Sequence, residues 1–265
     1  MNKRLIISIL ILLFTICGIT AQTTEKHPLK LRVGTYNVGH FNQGKLGGYQ
    51  GEDVQEEMQR WRNWISLQSF DIFVLNEWNK YFDKDSTYDA TAELLKPIYN
   101  NIYWGDANKW IYNGIATNFK LSNLRQVQWA GDYYAVIGDL KIGEKIITIM
   151  STHIPWQKEY HAKAIEDMKK EMKKYEYLIC MGDMNAFDAT QLSFRAEGFN
   201  IANGGYQGFL CTAPAGKKKG RKDGLHIDNI ITSSNIKIMN VSAPGAGLTE
   251  EDHYPVIADV VITWD

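Results

Sequence analysis

Six short polar clusters stand at the ends of apolar, strand-like runs: Thr35-Tyr36-Asn37, Leu75-Asn76-Glu77, Ser151-Thr152-His153, Gly182-Asp183-Met184-Asn185, His226-Ile227-Asp228 and Glu251-Asp252-His253-Tyr254-Pro255. A sheet can project side chains from such strand ends into one cleft. The residue types are those of metal and acid–base chemistry. Carboxylates supply the hard oxygens that Mg²⁺ prefers, and one or two suffice because the ion keeps several waters. Imidazoles titrate near neutrality, and side-chain amides donate to anionic oxygens.

Glu77 follows the apolar run 71–75, so its carboxylate emerges at the strand's C-terminal edge, as Asn37 emerges after 31–36. Gly182 lets the backbone bend sharply as it leaves the run 177–181. Taken one at a time, each has a plainer reading. Glu77 is then a surface-loop carboxylate, Asn37 a turn residue, 182–185 an Asx turn and His253 a structural histidine.

The elements that must position these residues are legible as periodicities. β-branched and apolar runs at 31–36, 72–75, 134–140, 145–151, 177–181, 227–232 and 256–263 read as strands. Val54, Met58, Trp61 and Ile65 recur at helical spacing, as do Ile165, Met168, Met172 and Tyr175. Both helices should pack one face on a sheet. Glu166, Lys170, Glu171 and Lys174 would lie on the opposite, solvated face of the second. Strands outnumber helices and often follow one another directly, which favours an α+β or layered sandwich over regular βαβ alternation. No repeat, low-complexity tract or proline-rich linker interrupts 22–265, so one domain is expected.

The set of clusters and its order resemble the endonuclease/exonuclease/phosphatase superfamily, the deoxyribonuclease I-like fold, from about Leu31 to the chain's end. The resemblance implies a four-layered α/β/β/α sandwich of two packed mixed β-sheets. It also implies Mg²⁺-assisted attack of water on a phosphate ester, with Mn²⁺ or Ca²⁺ as substitutes. Glu77 would be the principal metal ligand, Asn37 would help hold metal or phosphate, and Asp252 would lie near the metal or the groups bonded to its ligands. Asp183 would accept a proton from, or orient, the attacking water, while Asn185 donates to a phosphate oxygen. Asp228 would bind the His253 imidazole, fix its tautomer and favour its protonated form, so that it stabilises or protonates a phosphoryl oxygen.

His153 stands where apurinic endonucleases of the superfamily typically carry a tyrosine, and Gly39 lacks the acidic side chain those enzymes place two residues after the asparagine. Base-excision repair is therefore disfavoured. A histidine here is the choice of secreted deoxyribonucleases, sphingomyelinases and many phosphatases, where it contacts phosphate or assists leaving-group protonation.

Composition bounds the remaining choices. The 265 residues are 45% hydrophobic, 22% charged and 12% aromatic, within the ordinary globular range. Residues 1–21 read as a secretory signal peptide: Lys3 and Arg4, an apolar run 5–16 too short to span a bilayer, and a permissible cleavage site at Ile19-Thr20-Ala21. A secreted or periplasmic location follows, with membrane anchoring the alternative. Removing Lys3 and Arg4 from the 29 basic residues leaves 27 against 30 acidic ones, a net charge of −3, so any grip on a polyanion must be local. Lys217, Lys218, Lys219, Arg221 and Lys222 form the concentrated basic patch, read either as a substrate-binding loop or as solvated surface. Trp104, Trp110, Trp129 and Trp156 are further candidates for base, sugar or lipid contact. Cys180 and Cys211 permit one disulfide, and Cys180 suits a buried free thiol equally.

The leading expectation is a monomeric phosphoesterase without an obligate protein partner, acting on nucleic acid first. A phospholipid or sphingomyelin diester, or a small phosphate monoester, comes close behind. A non-catalytic binding module on the same fold is the rival class.

Overall fold

Burial along the strands decides the architecture. The computed structural model describes residues 28–41, 47–106, 112–216 and 222–264; the 1–21 leader, Trp110, Lys217, Lys218, Lys219 and Arg221 lie outside them. Strand β1 (Leu29–Asn37) buries Val33, Gly34, Thr35, Tyr36 and Asn37 in succession. A strand buried on both faces must lie between two layers.

Two six-stranded sheets supply those layers. The first has the order β11 (Ile236–Ser242), β12 (Val256–Ile262), β1, β2 (Ile72–Trp78), β4 (Tyr112–Thr117), β3 (Asn101–Trp104). The second runs β5 (Ser122–Ala130), β6 (Tyr133–Ile142), β7 (Lys145–His153), β8 (Leu178–Asp183), β10 (Asp228–Thr232), β9 (Asn200–Ile201). Each is mixed: β1 and β2 pair in parallel in one, β7 and β8 in the other, and the neighbours of both pairs are antiparallel.

A helix joins each parallel pair and covers the outer face of its sheet. Helix α1 (Val54–Gln68) carries Glu56 and Glu57 in its first turn, where acidic side chains suit the helix dipole. Its stripe of Met58, Trp61, Trp64 and Ile65 packs with Tyr36, Phe73 and Leu75. Helix α2 (Lys158–Met172) lays Ala164, Ile165, Met168 and Met172 against Met150, Leu178 and Cys180, joined by Phe194 of α3 (Asp188–Ala196). The alternate residues Val33, Ile72, Val74, Ile149, Ile179, Met181 and Ile230 are wholly buried and fill the space between the sheets. Each contributes roughly 1.5–3 kcal/mol relative to exposure. The expected layered sandwich is therefore the observed one. Leu29–Ile262 form one unit, and of the other, Met1–Pro28 with Thr263–Asp265, only Pro28, Thr263 and Trp264 are described.

Two local readings change, and of the two alternatives for the cysteines the free thiol is the one observed. Tyr175 continues the helical periodicity past the end of α2, with its hydroxyl donating to Glu171 at 2.5 Å. Glu171 is itself buried rather than solvated, because Lys174 and Tyr175 satisfy its carboxylate. Cys180 and Cys211 are both free thiols.

Strand register then sets the row of polar residues. Asn37 pairs with Asn76 across β1 and β2. His153 pairs with Asp183 across β7 and β8, and Asp183 with Asp228 across β8 and β10. All follow inter-sheet residues at a spacing of two, so they share the inward-facing side. Asn37, Glu77, His153 and Asp183 lie at the C-terminal ends of the parallel strands, where open α/β sheets place their ligands.

Candidate active site

Glu77 reaches the cluster through a backbone irregularity. The β2–β4 ladder shifts register between Leu75 and Trp78, and Glu77 takes φ +53°. A bulge of this kind re-aims a side chain that regular pleating would turn away. Asn185 at φ +45° and the run Gly39, His40 and Phe41 at φ +52°, +57° and +64° are also left-handed. Such concentrated backbone strain is typical of functional sites.

Asn37 joins the two sheets. Its Nδ2 donates to Glu77 Oε1 at 3.1 Å and to Asp183 Oδ2 at 3.0 Å, while its Oδ1 accepts the Gly39 N–H at 3.0 Å. Asp183 Oδ1 accepts the Asn185 N–H at 2.8 Å, so the Asx turn is present together with the cluster. Asn185 Nδ2 donates to the Ile154 carbonyl at 2.9 Å and lies 3.4 Å from His153 Nε2. That imidazole nitrogen is 3.5 Å from Asp183 Oδ2 and 3.8 Å from Glu77 Oε1.

His253 arrives from the loop before β12. Its Nδ1 is 2.8 Å from Asp228 Oδ2 and its Nε2 is 3.9 Å from Asp183 Oδ2. The loop is strapped down on both sides of α1 and β1. Buried Glu57 accepts both the N–H and the hydroxyl of Thr249 at 2.8 Å, and the Tyr36 hydroxyl donates to Glu251 at 3.2 Å. Asp252 is partly buried beside His253, whose charged form it favours. Lys222 is exposed.

Burial and charge separate the titrating groups. For Asp183, burial and then the neighbouring Asp228 push the carboxyl up to about 7, against His253 and the bonds from Asn185 and Asn37. Burial works against a charged His253, but Asp228, Asp183 and Asp252 outweigh it and hold the imidazole at about 10. His153 goes the other way, because burial drives it down to about 4 despite Glu77. Burial also opposes ionisation of Glu77, yet His153, His40, His253 and the Asn37 bond hold it below the usual range; its 22% exposed side chain lets water screen part of that balance.

Several members have no role in the sequence reading, although Asn76 stands in one of its six clusters. Asn76 Oδ1 accepts the Asp183 N–H at 2.9 Å, and its Nδ2 donates to Asn113 Oδ1 at 3.1 Å. Asn113 is in turn held by the Tyr134 hydroxyl, 3.0 Å from its N–H. His40 Nε2 lies 3.3 Å from Glu77 Oε2, with Nδ1 3.1 Å from Asn79 Oδ1. Asn76 carried a signal, a polar residue inside an apolar strand. Asn113 and His40 carried none that spacing could reveal.

Two triads, Glu77–His153–Asp183 and Asp183–Asp228–His253, each bring ligand atoms within 4.8 Å of one another. Three carboxylates thus crowd a site with one imidazole held protonated, and Asp228 Oδ1 is a buried acceptor with no hydrogen-bond partner. An oxygen-rich, under-neutralised cluster of this kind fits a divalent cation. Glu77, with its partial exposure, gives the ion a side open to water.

No family model matches the chain, and no curated protein matches it by sequence. Solved structures do. An endonuclease/exonuclease/phosphatase from Bacteroides vulgatus superposes with a TM-score of 0.69 at 16% identity, covering 89% of this chain and 100% of that one. An endonuclease/exonuclease/phosphatase family protein from Bacteroides thetaiotaomicron gives 0.67 at 16%, covering 90% and 100%. The fold is that of the endonuclease/exonuclease/phosphatase structures. D. rerio TDP2 complexed with a single-strand DNA product shares it too, with a TM-score of 0.66 at 14% identity, covering 87% of this chain and 98% of that one. Among the described residues, no helix is long and apolar enough to cross a membrane.

Proposed function

We propose that this chain is a divalent-metal-dependent phosphodiesterase of nuclease type, a single domain of 22–265 secreted or exported to the periplasm behind a cleaved 1–21 leader. The observation that carries the reading is the convergence on Asp183 Oδ2 of Asn37, His153 and His253. These groups come from three distant segments.

Asp183, poised near neutrality, takes the proton of the attacking water. Asn185 and Asn37 present amide donors beside it, suited to phosphate oxygens. His253, kept cationic by Asp228, stabilises charge developing on the phosphoryl group or protonates an oxygen there. His153 is neutral at pH 7, and its Nε2, 3.5 Å from Asp183 Oδ2, would contact a phosphate bound at the same centre. Glu77, with Asn37 bonded to it, would hold Mg²⁺, or Mn²⁺ or Ca²⁺ in its place, and Asp252 beside His253 is proposed as a further member of the site. The ion supplies Lewis-acid neutralisation of the phosphoryl oxygens.

The single-strand DNA product bound to D. rerio TDP2 supports a nucleic acid as first substrate class. A phospholipid diester is the second reading, favoured by Trp156 and Phe187, which are 67% and 69% exposed close after His153 and Asn185. Buried Trp129 instead serves the framework, donating to Thr152 Oγ1 at 3.0 Å. The basic run ending at Lys222 is a proposed grip for extended polyanions.

The test is hydrolysis of single-stranded DNA, RNA, sphingomyelin, a phosphoinositide and a simple phosphate mono- and diester by protein stripped with EDTA and then reloaded with metal. Nucleic-acid cleavage restored by Mg²⁺ is expected. Full activity of verified metal-free protein overturns the metal dependence, and hydrolysis of lipid alone overturns the substrate class.

A further inference from the structure

A cavity of about 260 Å³ opens at the end of the first sheet, walled by Trp78, Trp104 and Tyr112 and rimmed by Lys80, Lys96 and Asp89. A second cavity of about 540 Å³ shares Lys96 and Trp104 with it, so together they reach the size of ordinary ligand sites.

The aromatic wall is built in advance. Trp78 and Trp104 stack with centroids 5.4 Å apart at 28°, and Tyr112 meets Trp104 at 6.4 Å and 70°. Trp78 is 1% exposed and its indole N–H donates to Thr91 Oγ1 at 3.2 Å, so it anchors the stack from below. Gly114, paired with Trp104 across β3 and β4, has no side chain, and a Cβ there would lie 2.2 Å from the Trp104 ring. The missing side chain seats that ring against the sheet. Trp104 and Tyr112 remain only partly buried. Lys80 and Lys96 are exposed, and one carboxylate, Asp89, stands among them.

The position relative to the cluster decides what could fill it. Trp78 directly follows Glu77, and Tyr112 directly precedes Asn113, which is bonded to Asn76. Tyr112 and Asn113 follow one another in β4 and so point to opposite faces, and Trp78, beyond the bulge, packs with Phe41 and Phe82 in the outer cluster. The cavity and the cluster are thus a residue apart along the chain but lie round the sheet's end from each other. An occupant joined to a phosphate in the cluster must pass over that end, which needs a polymer rather than a small ester.

We propose that this cavity is a subsite for a nucleotide flanking the cleaved phosphate of a single-stranded nucleic acid, an inference that rests on the phosphodiesterase reading above. The base stacks on Trp104 and Tyr112, which is tolerant of sequence because every base has a π-face. Lys80 and Lys96 take the adjoining phosphate, and Asp89 accepts from an exocyclic amino group. An acyl chain would meet the same rings but offer no negative charge to either ammonium group.

The test compares wild type with Lys80→Ala/Lys96→Ala, whose side chains are exposed, and with Tyr112→Leu, folding being checked by circular dichroism. Binding of a labelled single-stranded DNA octamer is measured in EDTA by fluorescence anisotropy. Turnover of the octamer and of bis(4-nitrophenyl) phosphate is measured with metal. The expected result is a Kd for the octamer raised at least about fivefold, and a ratio of octamer to diester kcat/KM lowered by a similar factor. An unchanged ratio, or a parallel fall for both substrates, overturns the subsite while leaving the nuclease reading in place. Failure of wild type to bind or cleave the octamer defeats both. Octamer binding retained by the variants, with loss of binding to phosphatidylserine vesicles, would assign the cavity to a membrane and overturn the proposal.

Discussion

Asp228 Oδ2 and His253 Nδ1 lie 2.8 Å apart with both residues buried, one at the start of β10 and the other in the loop before β12. Nothing else in the described site couples a carboxylate to an imidazole so closely. Asp228→Asn keeps the side chain's shape and removes its charge. Turnover is expected to fall roughly 10²- to 10⁴-fold, with the loss of activity at high pH setting in earlier than in wild type. A pH–rate profile with an unmoved alkaline limb would show that the pair does not govern His253.

The wild-type profile should be a bell. Asp183 is raised to about 7, so it is protonated and unable to act as a base below that pH, and activity rises as pH climbs through it. His253 is raised to about 10, so it keeps its proton across neutrality and activity falls as pH rises through 10. Because the groups interact, the limbs belong to the cluster and not to single residues. Activity that peaks below pH 5 would contradict both roles.

Glu77→Gln removes the carboxylate that has a side open to water. Affinity for Mg²⁺ and Mn²⁺, measured by calorimetry, should fall by at least about 10- to 100-fold, the range seen even for outer hydrogen-bond partners of a ligand. Unchanged affinity in a folded variant would remove Glu77 from the metal site.

Gly182 has φ +150°, and a Cβ added there would lie 1.8 Å from the Thr152 carbonyl oxygen. Neither β7 nor β8 can move away without breaking the ladder that aligns His153 with Asp183. Gly182→Ala should therefore cost more than about 4 kcal/mol in chemical denaturation, or prevent folding. A loss under about 1 kcal/mol would show that the two strands are not held this closely.

Glu57 acts on the site from a distance through the loop that carries His253. Replacing it by Gln should cost roughly 1–3 kcal/mol, since one of two acceptors at a buried position becomes a donor facing a donor, and should lower kcat more than it raises KM. Thr249→Val removes the hydroxyl half of the same contact and keeps the backbone N–H, so the double variant should be less destabilised than the sum of the singles. Additive effects would mean that the strap is not a unit.

By itself the sequence determined the strands and helices whose pattern is internal to them. The helical spacing of Met58, Trp61 and Ile65 and the apolar runs ending in Asn37, Glu77, His153 and Asp183 are local signals, because each element must bury its own face whatever it meets. The placement of polar residues just beyond those runs followed from the same logic. Strands β3, β4, β5, β9 and β11 were not legible, since Asn113, Arg125, Gln126 and Lys237 interrupt the apolar runs of β4, β5 and β11, β3 and β9 span only Asn101–Trp104 and Asn200–Ile201, and the pairing of all five depends on neighbours. Only the tertiary structure decided which strand ends meet. Register between β8 and β10 sets Asp228 opposite Asp183, a bulge turns Glu77 inward, and a loop strapped to α1 brings His253 to both. Register, bulge and docking are relations between segments far apart in the chain, so no local propensity encodes them. The pKa values that divide acid from base arise from that same proximity and burial.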